Sequence, residues 1–194
     1  MHLQSTGIDQ GEAGILPGDI GEDAVAGGAG HIGHDGYSLA RQAVKGVILV
    51  VNKWDLAVNQ DMVESNRYIR KKLKFMSYAP VVYTSAKLGQ GVDRVMPEAF
   101  EVYQERQKRI ATTEVNSVVQ RAVAAHNLPR KGKKQLKILY ATQAEVNPPT
   151  FVFFVNDSTL IHFSYQHYLE NKLRQSFGFD GTPLRFVFKT RGEQ

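Results

Sequence analysis

Val47-Ile48-Leu49-Val50-Val51-Asn52-Lys53-Trp54-Asp55 is the stretch whose reading decides the fold. Its first five residues are aliphatic without alternation and mostly β-branched, the pattern of a strand buried on both faces of a parallel sheet. The polar residues that follow stand at the carboxyl end of that strand, where open α/β sheets place their ligands. Downstream, Pro80-Val81-Val82-Tyr83-Thr84 reads as a second strand, again closed by a small polar motif, Ser85-Ala86-Lys87, and the loop Gly89-Gln90-Gly91. Between them Met62, Val63, Tyr68, Ile69, Leu73 and Met76 recur at helical spacing, which predicts an amphipathic helix over 60–76. Arg67, Arg70, Lys71, Lys72 and Lys74 fall largely on its other face. A further helix is expected over 92–110, with Pro97 as a local distortion. Upstream, Leu39, Ala40, Ala43 and Val44 fit one face of a short helix that Gly46 ends.

The two polar motifs suit one chemistry. Guanine presents N1–H and an exocyclic amine beside O6, so a carboxylate that accepts both protons selects it and rejects adenine. Asp55 fits that role. Asn52 can hold the neighbouring loop and offer an amide to the base, and the stem of Lys53 can cover the ring. The backbone N–H of Ala86, between Ser85 and Lys87, would then lie near O6. Ordinary polar loop residues are the competing reading, weakened because each motif ends a strand and one helix joins the two.

After residue 110 the strand-helix alternation gives way to a short self-contained set. A helix beginning near Thr112 or Thr113 should stop before Pro129. Strands follow over 136–142 and 151–155, then an amphipathic helix over 165–177 and a last strand over 184–189. That order predicts a small α+β domain with helices on one face of a three-stranded sheet. Arg130, Lys131, Lys133 and Lys134 form a basic loop, with Lys137 opening the next strand. Such a cluster either neutralises phosphates or is a solvated surface, and both readings stay open. Phe151, Phe153 and Phe154 are candidates for base stacking, although strand alternation assigns most of them to the core. Gly178-Phe179-Asp180-Gly181 reads as a helix end and turn. His126, His162 and His167 have no partner spacing that suggests a triad.

Composition divides the chain at Gly36. Residues 1–36 hold six acids, no Lys or Arg and ten of the 17 glycines, whereas residues 37–194 carry a net charge of +11. The front is expected to be an irregular leader. Its Gly27-Gly28-Ala29-Gly30 run lacks the Lys-Ser or Lys-Thr of a phosphate loop, and His31, His34 and Asp35 are too few to complete a metal site. Cysteine is absent, which excludes disulfides and thiolate chemistry and points to a reducing cytoplasm. No apolar run approaches the length of a membrane span, and the start has no signal-peptide pattern.

From about Gly36 to Arg191 the sequence resembles the Der (EngA) family of bacterial ribosome-assembly GTPases. Besides the two polar motifs, the resemblance rests on Asn147-Pro148-Pro149-Thr150-Phe151, on Tyr168-Leu169-Glu170-Asn171 and on Phe177-Gly178-Phe179-Asp180-Gly181-Thr182-Pro183. It implies the last half of a second GTPase domain followed by a KH-like domain. The fold class expected is therefore a partial α/β GTPase domain over 37–110, with parallel strands and helices, and an α+β KH-like domain over 111–194. By resemblance, Asn52, Lys53, Asp55, Ser85, Ala86 and Lys87 are the guanine-binding residues and GTP or GDP the ligand, with Mg²⁺ belonging to the intact family. The implied partner is ribosomal RNA or the large ribosomal subunit, to which Arg130, Lys131, Lys133, Lys134 and Lys137 are the weaker candidate contacts.

The departures are equally specific. No Gly-Lys-Ser or Gly-Lys-Thr occurs in the sequence, and no Asp ahead of Asn52 has a Gly three positions on. GTP hydrolysis by this chain alone is not expected, and no catalytic or metal residue is assigned. The rival reading is a non-enzymatic RNA-binding or regulatory module in which the guanine motifs are relics. A half GTPase domain should also be less stable than the KH-like one and expose strand edges that self-association can cover. The break at Gly36 is expected to mark a frameshift or misassigned start.

Overall fold

The computed structural model describes residues 44–57 and 60–190. The expectations for the leader over 1–36, for the Gly27-Gly28-Ala29-Gly30 run, for His31, His34 and Asp35, and for the part of the short helix ahead of Val44 lie outside the described residues. The chain divides into two units between Val102 and Tyr103.

In the first unit, β1 (Leu49–Val51) and β2 (Val81–Tyr83) pair in parallel, Leu49 opposite Val81 and Val51 opposite Tyr83. The crossover between them contains α1 (Met62–Lys72). Asp61 starts this helix, its Oδ1 accepting the N–H groups of Val63 and Glu64 at 2.8 and 3.0 Å, which satisfies two of the donors a helix start leaves open. Ile69, Leu73, Met76 and Ala79 form the buried core of the unit, with Val47, Leu49, Val51, Val81 and Tyr83 packed against it.

Two expectations need correction here. Arg70 is not part of the outer basic face: its Nη1 donates to the carbonyls of Ser77 and Ala79, each at 2.7 Å. A turn of 3-10 helix over Lys74–Met76 follows α1, and the chain beyond it presents carbonyls that a long cationic side chain from the last helical turn can reach. Nor is the first strand buried on both faces. It spans three residues, and Val50 is 40% exposed because the apolar cluster lies on the face that Leu49 and Val51 share.

A 3-10 turn over Val92–Arg94 leads into α2 (Val95–Gln107). Pro97 occupies the first turn of this helix, where its missing N–H has no intrahelical partner to lose, so no distortion is needed. The helix ends at Gln107 rather than near Ile110.

The second unit takes in the end of α2 and continues with α3 (Thr112–Ala125). Neither Thr112 nor Thr113 caps it; Ala111 precedes the helix, and the Thr112 hydroxyl instead lies 3.0 Å from that of Thr142. The expected basic loop is a small hairpin of β3 (Arg130–Lys131) and β4 (Lys134–Gln135), turned at Gly132 with a φ of 61°. Then come β5 (Ile138–Val146), β6 (Pro149–Val155), α4 (Phe163–Phe177) and β7 (Arg185–Thr190). The sheet order is β5-β6-β7, antiparallel between the first two and parallel between the last two.

Alternation along β6 sorts its faces. Phe151, Phe153 and Val155 are fully buried, meeting Val115, Val118, Val119 and Ala122 of α3 and Tyr165, Leu169 and Leu173 of α4 in one core, while Val152 and Phe154 are part-exposed. Both helices therefore cover the same face of the sheet. At the outer edge of β5, Asn116 of α3 mimics a neighbouring strand. Its Nδ2 donates to the Ala141 carbonyl at 2.8 Å and its Oδ1 accepts the Ala141 N–H at 2.9 Å. Gly178 ends α4 with a φ of 82°, its N–H donating to the Arg174 carbonyl, and Phe179 turns back into the core fully buried.

Candidate functional site

Because Val51 pairs with Tyr83, the residues that leave the two strands emerge side by side. The Thr84 N–H donates to the Val51 carbonyl at 2.8 Å and the Trp54 N–H to the Thr84 carbonyl at 2.9 Å, extending the ladder beyond the strands. Asn52 Oδ1 accepts from the Ala86 N–H at 3.0 Å and from the Thr84 hydroxyl at 3.4 Å. The structure thus brings the Asn52 and Ala86 motifs into direct contact.

Lys53 takes a left-handed φ of 59° and opens a 3-10 turn over Trp54–Leu56 that carries Asp55. Trp54 lies on Tyr83 with ring centroids 4.3 Å apart, and the Tyr83 hydroxyl donates to Asn66 Oδ1 at 3.1 Å, tying the turn to α1. Burial raises the Tyr83 pKa above its ordinary 10.0, opposed by the Arg70 charge, so the hydroxyl stays a donor at neutral pH. Asp55 Oδ1 is buried and has no hydrogen-bond partner among the described residues. A carboxylate oxygen so placed carries an uncompensated desolvation cost that a ligand with N–H donors offsets.

Ser85 is fully buried and serves the loop: its N–H donates to the Gln90 carbonyl at 2.9 Å and its Oγ accepts the Leu88 N–H at 3.3 Å. Ala86 and Lys87 are exposed. Two residues named in the sequence without an assigned role shape this loop. Thr84 bridges both motifs through its N–H, carbonyl and hydroxyl, and Gly91 combines a φ of 67° with a position where a Cβ would lie 2.3 Å from the Tyr83 carbonyl oxygen. The Gly89-Gln90-Gly91 pattern, which the Ser85-Ala86-Lys87 motif separates from the strand, was the available signal for the latter.

The basic candidates belong to the second unit. Arg130 and Lys131 lie on β3, Lys133 in the turn, Lys134 on β4 and Lys137 just before β5, all exposed. Arg130 Nη2 donates to Gln135 Oε1 at 3.3 Å, and Lys134 Nζ lies 3.6 Å from Asp157. Of the three phenylalanines considered for stacking, Phe151 and Phe153 are fully buried. Phe154 is half-buried, its ring centroid 5.7 Å from that of Tyr140. His126 packs on Tyr168 at 4.7 Å, and His167 lies 3.8 Å from Glu170.

Residues 109–189 match the family of KH-domain-like segments of EngA bacterial GTPase enzymes, C-terminal. The chain is also 47% identical over 158 residues to GTPase Der of Desulfitobacterium hafniense, a match covering 80% of this chain and 36% of that protein. GTPase Der of Alkaliphilus oremlandii is 44% identical over 158 residues, with the same coverage. For GTPase Der of Clostridium acetobutylicum the identity is 46% over 154 residues, covering 78% of this chain and 35% of the relative. Most of the chain is similar to part of GTPase Der, and residues 109–189 match the C-terminal KH-domain-like segment of EngA GTPases. The chain spans about a third of the length of the curated relatives it matches. The similarity to Der extends beyond the KH-like segment, since 158 aligned residues exceed the span 109–189.

Tested against the nucleotide that a Der GTPase implies, the residues fit unequally. Asp55 Oδ1 is an acceptor of the kind a guanine edge needs, whereas the Ala86 N–H is engaged by Asn52 Oδ1. The sequence has no Gly-Lys-Ser or Gly-Lys-Thr for the phosphates, and among the described residues no group of three or more His, Asp or Glu is placed to hold a metal ion. Among the described residues no helix is long and apolar enough to cross a membrane.

Proposed function

We propose that this chain retains the guanine-reading half of a Der-type GTPase site together with a KH-like RNA-contacting domain, and works with RNA of the large ribosomal subunit in the cytoplasm. The observation that supports the guanine reading is the buried Oδ1 of Asp55, without a hydrogen-bond partner among the described residues, in the turn that follows the Asn52 joined to Ala86. A carboxylate there accepts N1–H and the exocyclic amine of guanine. Adenine has no amine at that position and an acceptor at N1, so the same oxygens repel it. Without a phosphate cradle, affinity comes from the base alone and falls in the millimolar range, and the chain does not hydrolyse GTP. Calorimetric titration tests this: GDP and guanosine should bind with similar weak affinity and ADP not at all. Equal responses to GDP and ADP would refute it.

One observation favours the second reading, in which the motifs are relics and the chain is a non-enzymatic RNA-binding module. The Ala86 N–H, which would meet guanine O6, is engaged by Asn52. Insensitivity to millimolar GDP together with salt-dependent RNA binding would select that reading.

A further inference from the structure

The face of the sheet away from α3 and α4 has features the guanine site does not explain. Tyr140, Phe154 and Lys189 occupy one row across all three strands, Tyr140 opposite Phe154 and Phe154 opposite Lys189. Residues in register share a face, and here it is opposite that of the fully buried Phe153. The two rings lie 5.7 Å apart at 42°, and Tyr140 is 43% exposed. Next to Tyr140 the pairing slips between Ile138 and Tyr140, and Leu139, at the slip, is 49% exposed. A buried-core explanation is unavailable for this row, because Phe151, Phe153 and Val155 already supply the β6 contribution to the core.

Cations predominate beside the row, although Lys134 of the hairpin lies 3.6 Å from Asp157. Lys189 completes the row, Lys137 precedes β5, and the β3–β4 hairpin with Arg130, Lys131, Lys133 and Lys134 stands immediately ahead in the chain, all exposed. Aromatic faces beside cations suit a ligand that alternates flat rings with phosphates. An acidic peptide would use the cations but leave the aromatic pair without a matching group.

We propose that the Tyr140–Phe154–Lys189 row is a stacking platform for single-stranded RNA, with a base on the Tyr140 ring and the backbone drawn toward Lys189 and the hairpin. This deepens the RNA part of the function proposed above and is independent of its guanine part. The platform is a strand surface, so it needs no Gly-x-x-Gly clamp between helices, which Gly178-Phe179-Asp180-Gly181 does not form.

The test is fluorescence anisotropy of a fluorescein-labelled decauridylate RNA with the full chain over a series of KCl concentrations. The wild-type chain should bind with an affinity that falls as salt rises. Tyr140→Leu, a change at an exposed position, should weaken binding on the order of 10-fold at every salt concentration without changing the salt slope, and Tyr140→Phe should restore it. Lys189→Gln should lower the slope by about 0.7. RNA binding that Tyr140→Leu leaves intact would overturn the platform while sparing the RNA role of the chain. Absence of any RNA binding would overturn both. Displacement of the probe by poly-glutamate as readily as by unlabelled RNA would replace RNA with an acidic protein as the occupant.

Discussion

Asn52 Oδ1 accepts the backbone N–H of Ala86 at 3.0 Å, joining two motifs that are 34 positions apart at the ends of neighbouring parallel strands. One side-chain oxygen thereby fixes the rim of the candidate base site. Asn52→Ala should cost about 1 kcal/mol in the stability of the first unit and speed amide exchange at Ala86, both measurable by hydrogen exchange. Asn52→Asp, which keeps the acceptor, should restore protection.

Gly91 and Gly89 make a matched pair. Both have positive φ, 67° and 72°, but a Cβ at Gly91 would meet the Tyr83 carbonyl at 2.3 Å, whereas one at Gly89 meets nothing within 4 Å. Gly91→Ala should therefore destabilise by at least about 2 kcal/mol and Gly89→Ala by about 1 kcal/mol, as read by chemical denaturation. Equal costs would show that the close approach does not govern this loop.

Tyr165 has a buried hydroxyl with no partner among the described residues, and burial pushes its pKa from 10.0 up to about 12. The folded state holds the phenolic proton that the unfolded state releases. This contribution to stability is complete below pH 10 and is lost as pH rises toward 12. Tyr165→Phe removes an unsatisfied polar atom, so it should gain about 1 kcal/mol and flatten the alkaline limb of a stability-versus-pH curve.

Asp157 behaves in the opposite sense. The side-chain and backbone hydrogen bonds from Thr159 hold its pKa below 3.8, with a smaller contribution from the Lys134 charge. Its contribution is present above that ordinary value and is lost as pH falls through the lower folded one. Thermal melts of Asp157→Ala between pH 5 and about 2 should show a shallower acid limb than the wild type.

The chain order of the elements was legible from the run Val47-Ile48-Leu49-Val50-Val51 onward, because hydrophobic period depends on each residue and its near neighbours. So was the packing of Phe151 and Phe153 into the core, which alternation alone implies. The reach of Arg70 to the carbonyls of Ser77 and Ala79 was not, since it depends on how the chain turns after α1 ends. The cap expected at Thr112 failed for a similar reason: the hydroxyl faces Thr142, which is 30 positions away. The β3–β4 turn at Gly132 was read as a loop because two-residue strands are too short to show a period. At the candidate site, Asn52, Asp55 and Ala86 were recognisable as types at fixed spacing, whereas the engagement of the Ala86 N–H by Asn52 emerges only from the register of β1 against β2.

The most direct test of the central claim is a paired calorimetric titration of the wild-type chain and Asp55→Asn with GDP and with xanthosine diphosphate, at millimolar ligand. An amide in place of the carboxylate presents a donor to the base edge, so it should lose GDP and gain the xanthine base, whose second carbonyl accepts that hydrogen bond. The expected result is this exchange of preference with the fold unchanged by circular dichroism. If GDP binds both chains equally, or neither chain binds either nucleotide, Asp55 does not read guanine here.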